Sequence, residues 1–285
     1  MRYIEMGQTG VQVSVIGQGT WKMGEDPAKH AQEVDALRVG IEAGMNLIDT
    51  AEMYADGGAE RVVADAIADC RERVYVVTKV WPTHASYADT LRAAKESLKR
   101  LRTTYIDLYL LHWPARSVPV EETMRAMRDL VADGAIRAVG VSNFSVELME
   151  RAQEALGAIP LTANQLPLHL RRRVIEKSLL PHCQARRVTV MGYSPLGHGD
   201  FPEPGTPQRT LLDRIGARYG ASAHQVALAW VVSRGGVVAI PKASNPEHVR
   251  ANAAAADLIL TEAELQQIDE AFPLPAGEYE VRWVG

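Results

Sequence analysis

Three short apolar runs each stop at a chargeable side chain. Asn46-Leu47-Ile48 stops at Asp49, Val74-Tyr75-Val76-Val77-Thr78 at Lys79, and Leu108-Tyr109-Leu110-Leu111 at His112. Tyr54 follows Asp49 by five residues, close enough for a loop to fold the phenol back over the run ends. A phenol near its ordinary pKa of ~10 is a poor proton donor at neutral pH. An adjacent ammonium favours the phenolate and lowers that pKa, and a carboxylate keeps the ammonium charged and in place. Asp49, Lys79 and Tyr54 therefore form a tuned general acid for a carbonyl oxygen, with His112 orienting the carbonyl or passing the proton on. Each residue alone also has a plainer reading: Asp49 and Lys79 as a rim ion pair, Tyr54 as a packed loop residue, His112 as a near-core histidine. A metal site on Asp49 and His112 is a further alternative. The chain lacks the H-x-H or multiple-carboxylate pattern of metal-dependent hydrolases, and His169 has no companion ligand, so no metal is expected.

The elements that must position these groups are parallel strands. Each run is short, β-branched or leucine-rich, and followed by helical periodicity, as in strands buried on both faces and joined through helices. Functional groups gather at the carboxyl ends of such strands. Two β-like stretches flank a turn at Gln8-Thr9-Gly10, and Gly17-Gln18-Gly19-Thr20-Trp21 ends the first apolar strand. Helices are expected over about 29–43, 59–70 and 86–102. The last of these starts on a capping box of Ser86 and Asp89 and carries a stripe of Leu91, Ala94, Leu98 and Leu101. Pro119 opens a helix with Val120, Met124, Met127 and Val131 on one face, closed by Gly134. Further strands are read at 138–143, 161–166, 188–193 and 237–240, and a final helix starts on the capping box Thr261 to Glu264. This rhythm matches a closed (β/α)8 barrel: one α/β domain over residues 1–285, with a short N-terminal β-hairpin and a C-terminal helix. A doubly wound open sheet usually announces itself with G-x-G-x-x-G after its first strand; Gly17 and Gly19 lack the third glycine.

The chain has 285 residues, 47% hydrophobic and 23% charged, with a net charge of −4. That charge leaves no footprint for nucleic acid or an anionic membrane; Arg171-Arg172-Arg173 reads as a solvated loop or helix start. Cys70 and Cys183 form no CxxC and fit a reducing compartment. With no signal-peptide core and no long apolar run, a cytoplasmic protein is expected.

The chain resembles the aldo-keto reductases from about residue 13 to its last helix. Gly19-Thr20-Trp21 resembles the first-strand motif, and Leu47-Ile48-Asp49-Thr50-Ala51-Glu52-Met53-Tyr54 the aspartate–tyrosine motif. Thr78-Lys79-Val80-Trp81 and Leu111-His112-Trp113-Pro114 resemble the lysine and histidine motifs, so that Asp49, Tyr54, Lys79 and His112 match the catalytic tetrad one by one. The resemblance implies an NADPH cofactor held by Thr20, Trp21, Asp49, Ser142, Asn143, Gln165, Tyr193, Ser194-Pro195-Leu196-Gly197, Ile240, Lys242, Ala243, Ser244, His248 and Asn252. Ser142, Asn143 and Gln165 would hold the nicotinamide carboxamide, Tyr193 would stack on its ring, and 194–197 would follow the pyrophosphate. The 240–244 segment resembles the adenosine 2′-phosphate site. Beside it, Asn245-Pro246 reads as an N-cap and first helical residue whose amides point towards an anion, and Lys242 adds a charge.

Several positions depart from the family pattern. An arginine common six residues after the lysine is His248 here, with Arg250 two further on. Pro167 and Leu170 occupy the usual acidic and proline positions after Gln165. Asp56-Gly57-Gly58 lengthens the Tyr54 loop, and the stretches after Gly197 and Phe272 are short. Short loops predict an open, shallow mouth lined by Trp21, Trp81, Trp113 and His112. The expected activity is NADPH-dependent reduction of small aldehydes and ketoaldehydes, methylglyoxal-like, to alcohols. The small carbonyl compound is the expected partner, and the resemblance implies a monomer. A reductase of sugar-derived keto acids and a cofactor-sensing regulatory protein on the same fold are the alternatives.

Overall fold

The structure, a computed structural model, describes residues 1–284. It opens with a hairpin of β1 (Tyr3–Glu5) and β2 (Gln12–Ser14), paired antiparallel with Ile4 opposite Val13. Eight parallel strands follow in chain order around one sheet: β3 (Gln18–Gly19), β4 (Leu47–Asp49), β5 (Tyr75–Val80), β6 (Ile106–Leu111), β7 (Ile136–Ser142), β8 (Leu161–Pro167), β9 (Thr189–Tyr193) and β10 (Val237–Ala239). The sheet curls until its edges meet. Gly17 N donates to Ala239 O (2.8 Å), Ala239 N to Val15 O (2.9 Å) and Gly19 N to Pro241 O (3.0 Å), which closes the barrel. This is the (β/α)8 architecture expected, with no unpaired edge left along the seam.

Alternation along each strand divides the core in two. Leu47, Tyr75, Val77, Leu108, Leu110, Ala138, Ala163, Met191 and Val238 fill the barrel, and Met6 and Val13 of the hairpin plug its amino-terminal end. Their neighbours Ile48, Val76, Val80, Tyr109, Val139, Val141 and Val190 point outward beneath the helices. The hairpin is anchored there by Gly7 N on the Thr189 hydroxyl (2.8 Å) and Ser14 N on Asn46 Oδ1 (2.7 Å).

The surrounding helices are α1 (His30–Glu42), α2 (Gly58–Ala66), α3 (Tyr87–Leu101), α4 (Val120–Ala132), α5 (Val146–Leu156), α6 (Leu179–Ala185), α7 (Pro207–Ala217), α8 (Ala223–Val232), α9 (Pro246–Ala254) and α10 (Glu262–Ala271). Ser145, Thr206, Ser222 and Thr261 cap helices by accepting from backbone amides, as short hydroxyl side chains do.

Some expectations need correction. The second helix ends at Ala66 rather than near 70, and a short 3-10 turn (Arg71–Arg73) leads into β5. Ser86 caps α3 through Asp89 N, but the Asp89 carboxylate accepts the Ser86 hydroxyl at 2.7 Å instead of reaching back to the Ser86 amide. Between β9 and β10 the chain makes two helices. Of these α8 is apolar over most of its surface, since all its residues but His224 and Gln225 are buried. Arg173 is not solvated: it is buried, with Nε on Glu176 Oε1 (2.8 Å) and Nη1 on the Phe272 carbonyl at the end of α10.

Candidate active site

The alternation that fills the barrel with Leu47, Val77 and Leu110 brings Asp49, Lys79 and His112 inward at the next layer, at the carboxyl ends of β4, β5 and β6. Ser142, Gln165 and Tyr193 continue the same layer around β7, β8 and β9. Lys79 is fully buried. Its Nζ donates to Asp49 Oδ2 (2.9 Å) and to the Thr50 carbonyl (2.7 Å). Asp49 Oδ1 accepts from Gln165 Nε2 at 2.7 Å, and its carbonyl accepts from the Thr20 hydroxyl at 3.0 Å. Burial pushes Asp49 up and Lys79 down, and each offsets the other's loss of water.

The Tyr54 loop is built by backbone. Tyr54 N donates to Ala51 O (3.1 Å), and then Ala55, Asp56 and Gly57 all take positive φ (51°, 50° and 76°) before α2 begins. Two non-glycine residues in that region strain the chain and fix where the phenol emerges. Lys79 Nζ lies 5.0 Å from the Tyr54 ring centroid, and the ring meets His112 edge to face, with centroids 5.7 Å apart. Burial, aided by the Asp49 charge, pushes the Tyr54 phenol well above its usual value. This corrects the expectation of a lowered value: with Lys79 committed to Asp49 and Thr50, desolvation outweighs its attraction for a phenolate. Burial, and then Lys79, holds His112 well below the usual imidazole range, so the ring is neutral at pH 7. His112 Nδ1 has no partner among the described residues.

A chain of polar groups runs on from the tetrad. Asn143 takes positive φ (64°), and its Nδ2 donates to Ser142 Oγ (2.9 Å) and to His112 O (3.3 Å). Its Oδ1 accepts the Tyr193 hydroxyl at 3.0 Å, and Ser142 Oγ donates to Gln165 O at 3.0 Å. A tight turn follows Tyr193: Ser194 and Gly197 take positive φ (49° and 80°), Gly197 N bonds Ser194 O (2.8 Å), Pro195 is buried and Leu196 packs on the outer core.

At the barrel seam Gly19 pairs with Lys242, and Ile240 is buried inside while Ala243 is half-buried. Lys242 Nζ sits 3.1 Å from Ser244 Oγ, and Asn245 caps α9 by accepting from Glu247 N (2.8 Å). An ammonium and a hydroxyl beside a helix N-terminus form a donor set that suits a phosphate. On α9, His248 is exposed and Asn252 half-buried.

The tryptophans are not equivalent. Trp81 packs edge-on against His112 (5.2 Å), whereas Trp21 is 41% exposed and meets His198 (4.7 Å). Arg282 lies over Trp113 at 5.9 Å. The segment after Phe272 packs back across this side of the barrel. Lys177 Nζ holds Gly277 O, Tyr279 and Val281 pack on the core, and Val284 pairs with the 114–116 segment through Arg116 N to Val284 O (3.2 Å) and Val284 N to Pro114 O (3.1 Å). The tail therefore spans from the loop after β8 to the loop after β6. Glu52, which accepts from Trp81 N (2.6 Å), links the Tyr54 loop to the loop after β5, and the strand-end pattern did not single it out. Its one sequence signal was an acid between Asp49 and Tyr54.

Residues 15–272 match the family model described as the aldo/keto reductase family. The chain is 47% identical over 268 residues to methylglyoxal reductase YeaE of Escherichia coli, covering 94% of each protein. It is 31% identical to glyoxal reductase of Bacillus subtilis, covering 91% of this chain and 89% of that one. A crystal structure of an aldo/keto reductase from Klebsiella pneumoniae in complex with NADP and acetate superposes with a TM-score of 0.90 at 45% identity, covering 99% of both chains.

Proposed function

The chain belongs to the aldo/keto reductase family, and from that premise we propose that it reduces small aldehydes and ketoaldehydes, methylglyoxal among them, to alcohols with NADPH. One observation carries this reading: a neutral phenol, a neutral imidazole and a buried ion pair converge at the carboxyl end of one barrel. NADPH, when bound, would supply the hydride to the carbonyl carbon. Lys242, Ser244 and the start of α9 are the groups that fit its 2′-phosphate; Tyr193, Asn143, Ser142 and Gln165 fit its nicotinamide end. The identity to a methylglyoxal reductase and the NADP-bound Klebsiella relative support both choices.

The residues divide the work by charge. A raised phenol pKa keeps Tyr54 loaded with its proton throughout the neutral range. The neutral His112 ring donates a hydrogen bond to the carbonyl oxygen and holds it near Tyr54 without adding a charge. As the oxygen gains negative charge, the Tyr54 O–H bond breaks and its proton completes the alcohol. The phenolate left behind lies near the Lys79 ammonium, which sits 5.0 Å from the ring centroid and attracts the new negative charge. Lys79 thus acts on the product side of the transfer, where it offsets the cost of burying a phenolate. Solvent then returns the proton.

The test is NADPH consumption, followed optically, with methylglyoxal, simple aldehydes and sugar-derived keto acids. Tyr54→Phe should lose about 10²–10⁴ in turnover while binding of NADPH persists. Full activity in Tyr54→Phe, or no carbonyl turned over, would sink the reading.

A further inference from the structure

We infer that Glu52 is a positioning residue that ties the Trp81 wall of the carbonyl pocket to the Tyr54 loop, an inference that rests on the reductase reading above. Glu52 sits between Asp49 and Tyr54, and its side chain is 10% exposed. Its carboxylate is not part of the tetrad network: the Lys79 ammonium is taken up by Asp49 and Thr50. Its Oε1 instead accepts two bonds from the loop after β5, from Trp81 N at 2.6 Å and from His84 Nδ1 at 2.9 Å. Both are bonds to a carboxylate, the stronger kind. They cross 29 and 32 residues of chain and extend into the Trp81 loop the backbone bond that Glu52 N makes to Lys79 O (3.5 Å).

Trp81 needs such a tether. It follows the last residue of β5 and heads the 3-10 turn Pro82–His84, so its amide has left the strand ladder and would otherwise lack a partner. On its inner side the indole meets His112 edge-on at 5.2 Å. Near it a cleft of about 420 Å³ opens, lined by Trp81, His84, Met53, Asp56 and Arg92 among others. Packing therefore stops the indole from moving inward, and the hydroxyls of Thr90 and Thr123 hold the later part of the loop at His84 O (3.0 Å) and Ala85 O (2.6 Å), which leaves Trp81 itself to be held from outside. The Glu52 carboxylate supplies that second restraint, and holds the indole where it bounds the space above His112. Because Glu52 belongs to the Tyr54 loop, wall and proton donor share one frame.

Steady-state kinetics with NADPH and methylglyoxal separate this role from a merely structural one. Glu52→Ala should raise the KM for methylglyoxal about fivefold or more, with kcat and the KM for NADPH within about twofold. Glu52→Gln, whose amide oxygen still accepts from Trp81 N, should restore that KM to within about twofold of the parent. In a Trp81→Ala background the Glu52→Ala effect should shrink to less than about twofold, because its route has been removed. Should Glu52→Ala not fold, Glu52→Leu fills similar volume without an acceptor and takes its place. An unchanged KM, a Gln variant as impaired as the Ala variant, an equal rise in the KM for NADPH, or an undiminished effect without Trp81 each overturns the inference. An unmutated protein that reduces no carbonyl overturns the functional reading itself, a result distinct from all of these.

Discussion

Lys79 is a fully buried ammonium, and only its bonds to Asp49 and Thr50 make that tolerable. Breaking a buried pair costs more than the pair contributes, because the remaining charge is stranded. Lys79→Met should therefore destabilise by about 3–5 kcal/mol in urea unfolding. Adding Asp49→Asn removes the stranded carboxylate while Gln165 Nε2 keeps an oxygen to bond. The double variant should then be more stable than Lys79→Met alone; if it is less stable, the charge is not the source of the loss. At this scale the sequence was informative about which residues converge and silent about their protonation. Asp49, Lys79 and His112 were legible because strand alternation and run length both show in residue types. The direction of the Tyr54 shift was not, because it depends on how closely the loop packs the phenol against its neighbours in the folded barrel. Glu52 escaped for a similar reason: its partners Trp81 and His84 lie a whole strand away.

The element that depends most on backbone shape is the Tyr54 loop and the start of α2. Gly24 has φ +80°, and a Cβ there would lie 2.5 Å from the Gly58 carbonyl carbon, where α2 begins. Nothing at that contact is a flexible side-chain end, so the loop itself would have to move. Gly134, after α4, has a similar φ of +72° but open space where its Cβ would go. Gly134→Ala should thus cost only the left-handed strain of about 1–2 kcal/mol. Gly24→Ala should lose more stability than that, and also turnover. Thermal unfolding and NADPH consumption on the two variants check this; equal effects would mean that the Gly24–Gly58 contact is not a constraint on the site. Helices with clear end signals and stripes, such as α3 and α4, could be read from sequence to within a residue or two. Elements fixed by distant contacts could not. Arg173 looked like one of three surface arginines until the Phe272 carbonyl, 99 residues later, took its guanidinium. The tail carries no periodic pattern, and its path from Gly277 to Val284 is set by residues 177 and 114–116.

The whole molecule is a ring whose first and last strands meet at one seam, where Gly19 pairs with Lys242. That closure is legible only as a count of strand–helix units, because no local signal says that the first run should pair with the last. The seam is also where the groups proposed for the 2′-phosphate stand, so cofactor binding should fasten the closure as well as supply chemistry. A ligand at 100 times its Kd stabilises the folded state by about 2.7 kcal/mol. In a chain of this size that corresponds to a rise in Tm of roughly 5 °C or more. Lys242 presents an ammonium, 3.1 Å from Ser244 Oγ, and on the reading proposed above it acts on the extra phosphate that distinguishes NADPH from NADH. Lys242→Met should therefore shrink the rise in Tm produced by NADPH and leave that produced by NADH unchanged. Added salt should shrink the NADPH rise in the parent protein more than in the variant, since an exposed ion contact is screened. If Lys242→Met lowers both rises equally, the lysine holds the seam together rather than reading the phosphate.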